Sequence, residues 1–269
     1  MAVKPFKPKN LLISQINHHM TNNTYSFSQK AAAWAVHAFT ASGIVAGFWA
    51  IVSASEGHFS MAFVMLIVSV IIDGVDGTFA RMFKVREVLP NVSGQTMDYV
   101  IDFATYAIIP AYIIYEAQLL PQDLAFWGAA VILIVSALYY GKEGMVSNDY
   151  YFVGFPVMWN LVAFYLFYVF NFSPLGNFIT VLVFAILHFV PIKYLYPSRS
   201  RRFMGLNIFA SALLIISTAT LAFLLGDTPS YEGAGWEMLT ARWVAIVSLA
   251  YFGVLSVYHT WLDPQTKNL

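Results

Sequence analysis

The stretch "DGVDGTFARMFKVREVLPNVSGQTMDYVID" runs from Asp73 to Asp102. Its aspartates, Asp73, Asp76, Asp98 and Asp102, stand at the edges of apolar runs, where a charge is expensive. If both flanks are helical, spacing arranges them. Asp73 and Asp76 share a face, Gly77 lies four residues after Asp73, and Ala80 continues the stripe. Gly94, Asp98 and Asp102 follow one another at intervals of four and share a face of the next helix. Two neighbouring helices can therefore turn two carboxylate pairs toward each other, with glycine and alanine leaving room for a bulky group.

The rest of the chain explains why those flanks should be membrane helices. Of 269 residues, 59% are hydrophobic and only 10% are charged, well below the share usual in soluble domains. Eight apolar stretches approach the roughly 20 residues that a bilayer core demands: 31–53, 58–82, 95–118, 122–140, 153–171, 175–196, 204–225 and 239–261. They are too long, and alternate too little, for a β-barrel. The expected fold is an all-α polytopic bundle of about eight transmembrane helices forming one domain over residues 1–269. Residues 1–30 read as a polar segment, either an interfacial amphipathic helix around "KNLLISQINHHM" or a tail. A zero net charge argues against a nucleic-acid partner. The absence of cysteine excludes disulfides and thiolate metal ligands.

Loop charges orient the bundle. With eight spans, thirteen of the fourteen Lys and Arg residues fall on one side, and only Arg242 falls on the other. Both termini, and the ends of the helices that carry the four aspartates, are then cytoplasmic.

Four carboxylates converging near a bilayer need compensation. Oxygen-only ligands suit Mg²⁺, Mn²⁺ or Ca²⁺. Mg²⁺ keeps positions open for phosphate oxygens, so a diphosphate is the expected guest, with Arg81 at the lip as a donor fork. A single such aspartate reads equally well as a solvated helix end. A proton or ion pathway, as in a cation-coupled transporter, also uses intramembrane carboxylates, but it does not call for Gly77, Ala80 and Arg81.

The pattern D-G-x₂-A-R…G-x₃-D-x₃-D, here Asp76, Gly77, Ala80, Arg81, Gly94, Asp98 and Asp102, resembles the signature of the CDP-alcohol phosphatidyltransferases, with Asp73 as the further upstream aspartate. The resemblance implies a membrane helical bundle, often a homodimer, that exchanges CMP on a CDP-linked substrate for an alcohol. It also implies that Asp73, Asp76 and Asp98 bind one or two divalent ions, Mn²⁺ or Mg²⁺, with Asp102 as a ligand or as the base. The spacer from Met82 to Ser93 has twelve residues, longer than in most members. In this it resembles the branch of bacterial phosphatidylcholine synthases, which join choline to CDP-diacylglycerol. "HAFTASG" (His37–Gly43) and "FVGFPVMWN" (Phe152–Asn160) resemble the same branch. "KEGMVSNDYY", just before Phe152, matches less well, so serine, inositol or glycerol phosphate stays open as the acceptor.

In such a family Thr40 and Gly43 would line the CDP-diacylglycerol nucleotide together with Gly77, Ala80, Arg81 and Gly94, and His37 would touch phosphate or cytidine. Gly43 and Gly47 equally form a small-xxx-small packing pair. Choline has no N–H to donate, so aromatic faces and a carboxylate must hold it. The candidates lie between Tyr139 and Trp159: Glu143, Tyr150, Tyr151 and Trp159 above all, in a region where aromatic residues also serve as membrane-interface belts. Arg199, Arg201 and Arg202 suit the positive-inside pattern and could grip anionic lipid or the substrate phosphate.

Overall fold

The computed structural model describes residues 25–147, 149, 151–197 and 203–262. The N-terminal "KNLLISQINHHM" segment lies outside them. The bundle opens with α1 (Phe27–Ser55), started by a capping box in which Ser26 and Gln29 satisfy one another's backbone N–H groups. It continues with α2 (Phe59–Met82), a short α3 (Val85–Val88), α4 (Gly94–Glu116) and α5 (Gln122–Tyr140). After β1 (Tyr151–Val153) come α6 (Trp159–Val169), α7 (Pro174–Leu187), β2 (Lys193–Leu195), α8 (Met204–Leu225) and α9 (Trp236–Leu262).

All eight apolar stretches are helical in part, but among the described residues only six helices are long and apolar enough to cross a membrane: α1, α2, α4, α5, α8 and α9. The fifth and sixth stretches are a correction. Helix was expected from residue 153 and through residue 196. Instead the backbone is extended at Tyr151–Val153 and Lys193–Leu195, which pair antiparallel with Val153 opposite Lys193. Helix α6 starts only at Trp159 and α7 stops at Leu187. The cause is local. Gly154 has φ +92°, and a Cβ there would run into the His188 carbonyl. Pro156, Pro174 and Pro191 are further breaks. Hydropathy alone could not separate this buried irregular backbone from helix.

Buried irregular backbone must find its hydrogen bonds within the protein. Gly154 N donates to Ile192 O and Phe155 N donates to Leu187 O, each within 2.9 Å. At the other end α6 finishes in a wide π turn, Tyr165–Val169. Arg242 Nε donates to Val169 O at 3.0 Å, and the Tyr231 hydroxyl donates to Tyr168 O at 2.7 Å. Arg242 thus serves as a cap for a helix that ends early.

Helix α1 sets the spacing of the helices that carry the aspartates. A Cβ on Gly47 would lie 2.7 Å from Ile109 Cδ1 and 3.2 Å from Thr105 Cγ2 of α4. At Gly43 the neighbours are Ile101 of α4 and Ile72 of α2, at ordinary contact distances of 3.5 and 3.6 Å. The Ser69 hydroxyl of α2 donates to the Gly43 carbonyl at 2.9 Å. The three helices pack as one unit, with the end of α2 beside the start of α4.

Candidate active site

Asp73, Asp98 and Asp102 converge where α2 ends and α4 begins. Each offers one carboxylate oxygen, and the three oxygens lie within 4.8 Å of one another. All three residues are partly buried. The Tyr106 hydroxyl, itself buried, donates to Asp73 Oδ2 at 2.8 Å. Tyr106 comes one turn after Asp102, inside the π turn Ala104–Ile108 that interrupts α4. Pro110 follows and has no N–H to give, so the helix widens just before it. Wide turns of this kind gather at functional sites, and here one presents a phenol to a carboxylate.

The set fits a hard divalent cation. Its donors are all oxygens, their spacing lets one ion touch all three, and Asp102 Oδ1 is buried with no hydrogen-bond partner among the described residues. Without a cation, three carboxylates this close would repel one another and leave that oxygen unsatisfied.

The other residues singled out from the sequence are placed as follows. Asp76 is buried near the cluster but is not one of the three, and Thr40 of α1 is partly buried. Gly77 faces open space, for a Cβ there would meet only Arg81 Nη1 at 3.5 Å. Arg81 is exposed and donates to Thr78 Oγ1 at 3.1 Å. Ala80 packs into a small satellite core with Ala33, Val36, Val85 and Val88. His37 is buried against Gly94, whose Cβ would lie 3.4 Å from the imidazole, and its Nε2 has no partner among the described residues. Gly43 serves the interhelical contact already described.

The structure disperses the aromatic candidates. Trp159 is fully buried, donates to Ser136 Oγ at 2.9 Å and stacks on His188 at 5.3 Å between centroids. Tyr151 is buried with Lys193 Nζ over its ring at 5.8 Å. Glu143 is exposed in a loop. Tyr150, Arg199, Arg201 and Arg202 lie outside the described residues. A different aromatic group does border the acidic cluster. Tyr140, the last residue of α5, meets Tyr99 and Phe103 of α4, each at 6.0 Å between ring centroids. Tyr99 and Phe103 are not among the residues singled out from the sequence. Their signal was available, since each follows one of the α4 aspartates directly and the two are four residues apart.

Residues 33–224 match the sequence profile of CDP-alcohol phosphatidyltransferase, and the chain belongs to that family. Full-length relatives narrow the comparison. The chain is 39% identical to a phosphatidylcholine synthase of Agrobacterium fabrum over 199 residues, 74% of this chain and 82% of that one. It is 40% identical to a phosphatidylcholine synthase of Pseudomonas aeruginosa over 218 residues, 81% and 91% of the two chains. With that of Borreliella burgdorferi it shares 33% identity over 236 residues, 88% and 96%.

Proposed function

We propose that the protein is an integral membrane enzyme that transfers the phosphatidyl group of CDP-diacylglycerol to choline, releasing CMP. The convergence of Asp73, Asp98 and Asp102 at one end of the bundle carries the chemistry. The relatives named phosphatidylcholine synthase, matched over most of both chains, support choline as the acceptor.

Asp73, Asp98 and Asp102 would hold the divalent ion, Mn²⁺ or Mg²⁺, with Asp76 close by for a second. When bound, such an ion neutralises diphosphate charge and polarises the phosphoryl oxygens. Tyr106 steadies Asp73 by its hydrogen bond. Arg81, exposed at the end of α2, is placed to meet the diphosphate. Gly77 leaves the space beside it clear for the nucleotide. His37 and Gly94 form the α1–α4 wall of the same space. Asp102 takes the proton from the choline hydroxyl at a carboxylate oxygen. The choline oxygen forms a bond to the phosphorus that stays with the lipid, and the bond from that phosphorus to the CMP oxygen breaks. No covalent enzyme intermediate is needed.

The end of the bundle that carries the aspartates also carries Arg81, Lys84, Arg86, Lys142 and Lys193, which supports a cytoplasm-facing site. Likeness to the family supports a homodimer. The deciding experiment mixes purified protein, CDP-diacylglycerol and Mn²⁺ or Mg²⁺ with single alcohols and follows CMP. Release with choline and little with serine, inositol or glycerol phosphate is expected. Release with one of the latter and none with choline would leave the fold and the acidic site standing and replace the acceptor.

A further inference from the structure

We propose that Tyr99, Phe103 and Tyr140 form an aromatic corner that holds the quaternary ammonium of the acceptor alcohol beside Asp102. The inference rests on the choline reading above and adds the residues that would select for it.

A quaternary ammonium has no N–H, so hydrogen-bond acceptors gain nothing specific from it. Ring faces set at an angle to one another, near negative charge, are the chemistry that recognises it. The rings of Tyr99 and Tyr140 stand at 62° to each other, and those of Phe103 and Tyr140 at 79°. Both pairs are edge-on, so the rings present faces in different directions rather than a closed stack. Gln95 Nε2 donates to the Tyr99 hydroxyl at 3.0 Å and steadies the outer ring. Tyr99 is 38% exposed and Tyr140 half-buried, so the corner opens to the outside. Tyr99 follows Asp98 directly and Phe103 follows Asp102, so Tyr140, which meets both rings, lies on the side of the acidic cluster.

Reach agrees with this placement. In choline only two carbons separate the hydroxyl oxygen from the nitrogen. A hydroxyl at Asp102 therefore puts the ammonium within about one side chain of that carboxylate. Phe103 is the next residue in α4, and Tyr99 lies one turn from it on the same face. The other aromatic candidates are spoken for: Lys193 covers the Tyr151 ring, and His188 lies on Trp159.

The test is steady-state CMP release by the purified protein with choline and with its neutral carbon isostere, 3,3-dimethylbutan-1-ol. Tyr140→Leu and Tyr99→Leu should each raise the choline KM roughly 2- to 30-fold. The KM for the isostere and for CDP-diacylglycerol should change less than twofold. Tyr140→Phe and Tyr99→Phe keep the faces and should behave like the parent toward choline. Because Tyr99 is well exposed, Tyr99→Leu decides the matter if Tyr140→Leu does not fold. A parent enzyme that ignores choline would overturn the acceptor reading before any variant is made. A parent that uses choline, with leucine variants whose choline KM stays within twofold, would overturn the corner alone. Equal loss of choline and CDP-diacylglycerol affinity would show the rings to be structural and would also overturn it.

Discussion

The Tyr106 hydroxyl sits 2.8 Å from Asp73 Oδ2 and links α4 to the carboxylate that α2 brings to the site. The phenol fills one acceptor position of Asp73 and fixes its rotamer. Groups that orient metal ligands in this way typically contribute 10- to 100-fold in affinity or activity. Tyr106→Phe keeps the ring and removes only the donor. It should raise the metal concentration for half-maximal CMP release about 10- to 100-fold, with thermal stability nearly unchanged. An unaltered metal titration would show that the bond is incidental.

Metal removal should act more severely. Excess EDTA is expected to abolish turnover, and Mn²⁺ or Mg²⁺ should restore it. Asp73→Asn and Asp98→Asn should weaken metal and CDP-diacylglycerol binding. Asp102→Asn should chiefly slow turnover, by roughly 10²- to 10⁴-fold if it removes the base. A loss of metal binding that accounts for all of the Asp102→Asn defect would make Asp102 a ligand and nothing more.

Glycines divide sharply by position. Gly154 combines φ +92° with a His188 carbonyl where a Cβ would go. Gly154→Ala should lower stability by a few kcal/mol, about 1–3 from the backbone alone, and the carbonyl must also move. Gly205, near the start of α8, has nothing within 4 Å of a Cβ and no positive φ. Gly205→Ala should leave the melting temperature in detergent unchanged or slightly raised, as alanine is the better helix former. Equal melting temperatures for the two variants would contradict the account of the α6 entry.

Asp149 predicts a pH dependence. Partial burial works against its charge, but hydrogen bonds from Ser147 and Lys193 and the Lys193 ammonium at 3.1 Å outweigh that and hold its carboxyl below the ordinary carboxylate range. A depressed folded-state pKa means stabilisation that is present above the unfolded value, about 4, and lost as pH falls through the folded value. Asp149→Asn should therefore melt earlier than the parent at pH 7. The gap should close as pH falls below about 4. A gap that stays constant with pH would mean that the charge is not what matters.

The sequence made the site legible where composition and spacing constrain chemistry. Carboxylates at helical intervals with small residues between them, flanking apolar runs, leave little besides a cation and a phosphate group to explain them. Six of the expected spans lie close to where the helices are, because long uninterrupted apolar runs have no cheaper structure in lipid. The α6–α7 region was not legible. Its residues are as apolar as the rest, and the deciding facts are nonlocal: the His188 carbonyl against Gly154 and Arg242 reaching Val169 from another helix. Tyr106 was hidden for a related reason, since only the wide turn before Pro110 reveals which way it points. The spacing of Tyr99 and Phe103 does not disclose the corner on its own, because only the contact with Tyr140 of α5 brings the three rings together.

The twelve-residue stretch between Arg81 and Gly94 contains the short α3, with Val85 and Val88 seated on Ala33 and Val36 of α1. The segment is anchored at both ends, since Ala80 of α2 packs into the same satellite core and Ser93 caps the start of α4 by accepting from the Thr96 N–H at 3.2 Å. The join between the two halves of the carboxylate set is therefore a brace rather than a slack tether, and any change in its length has to preserve both anchors.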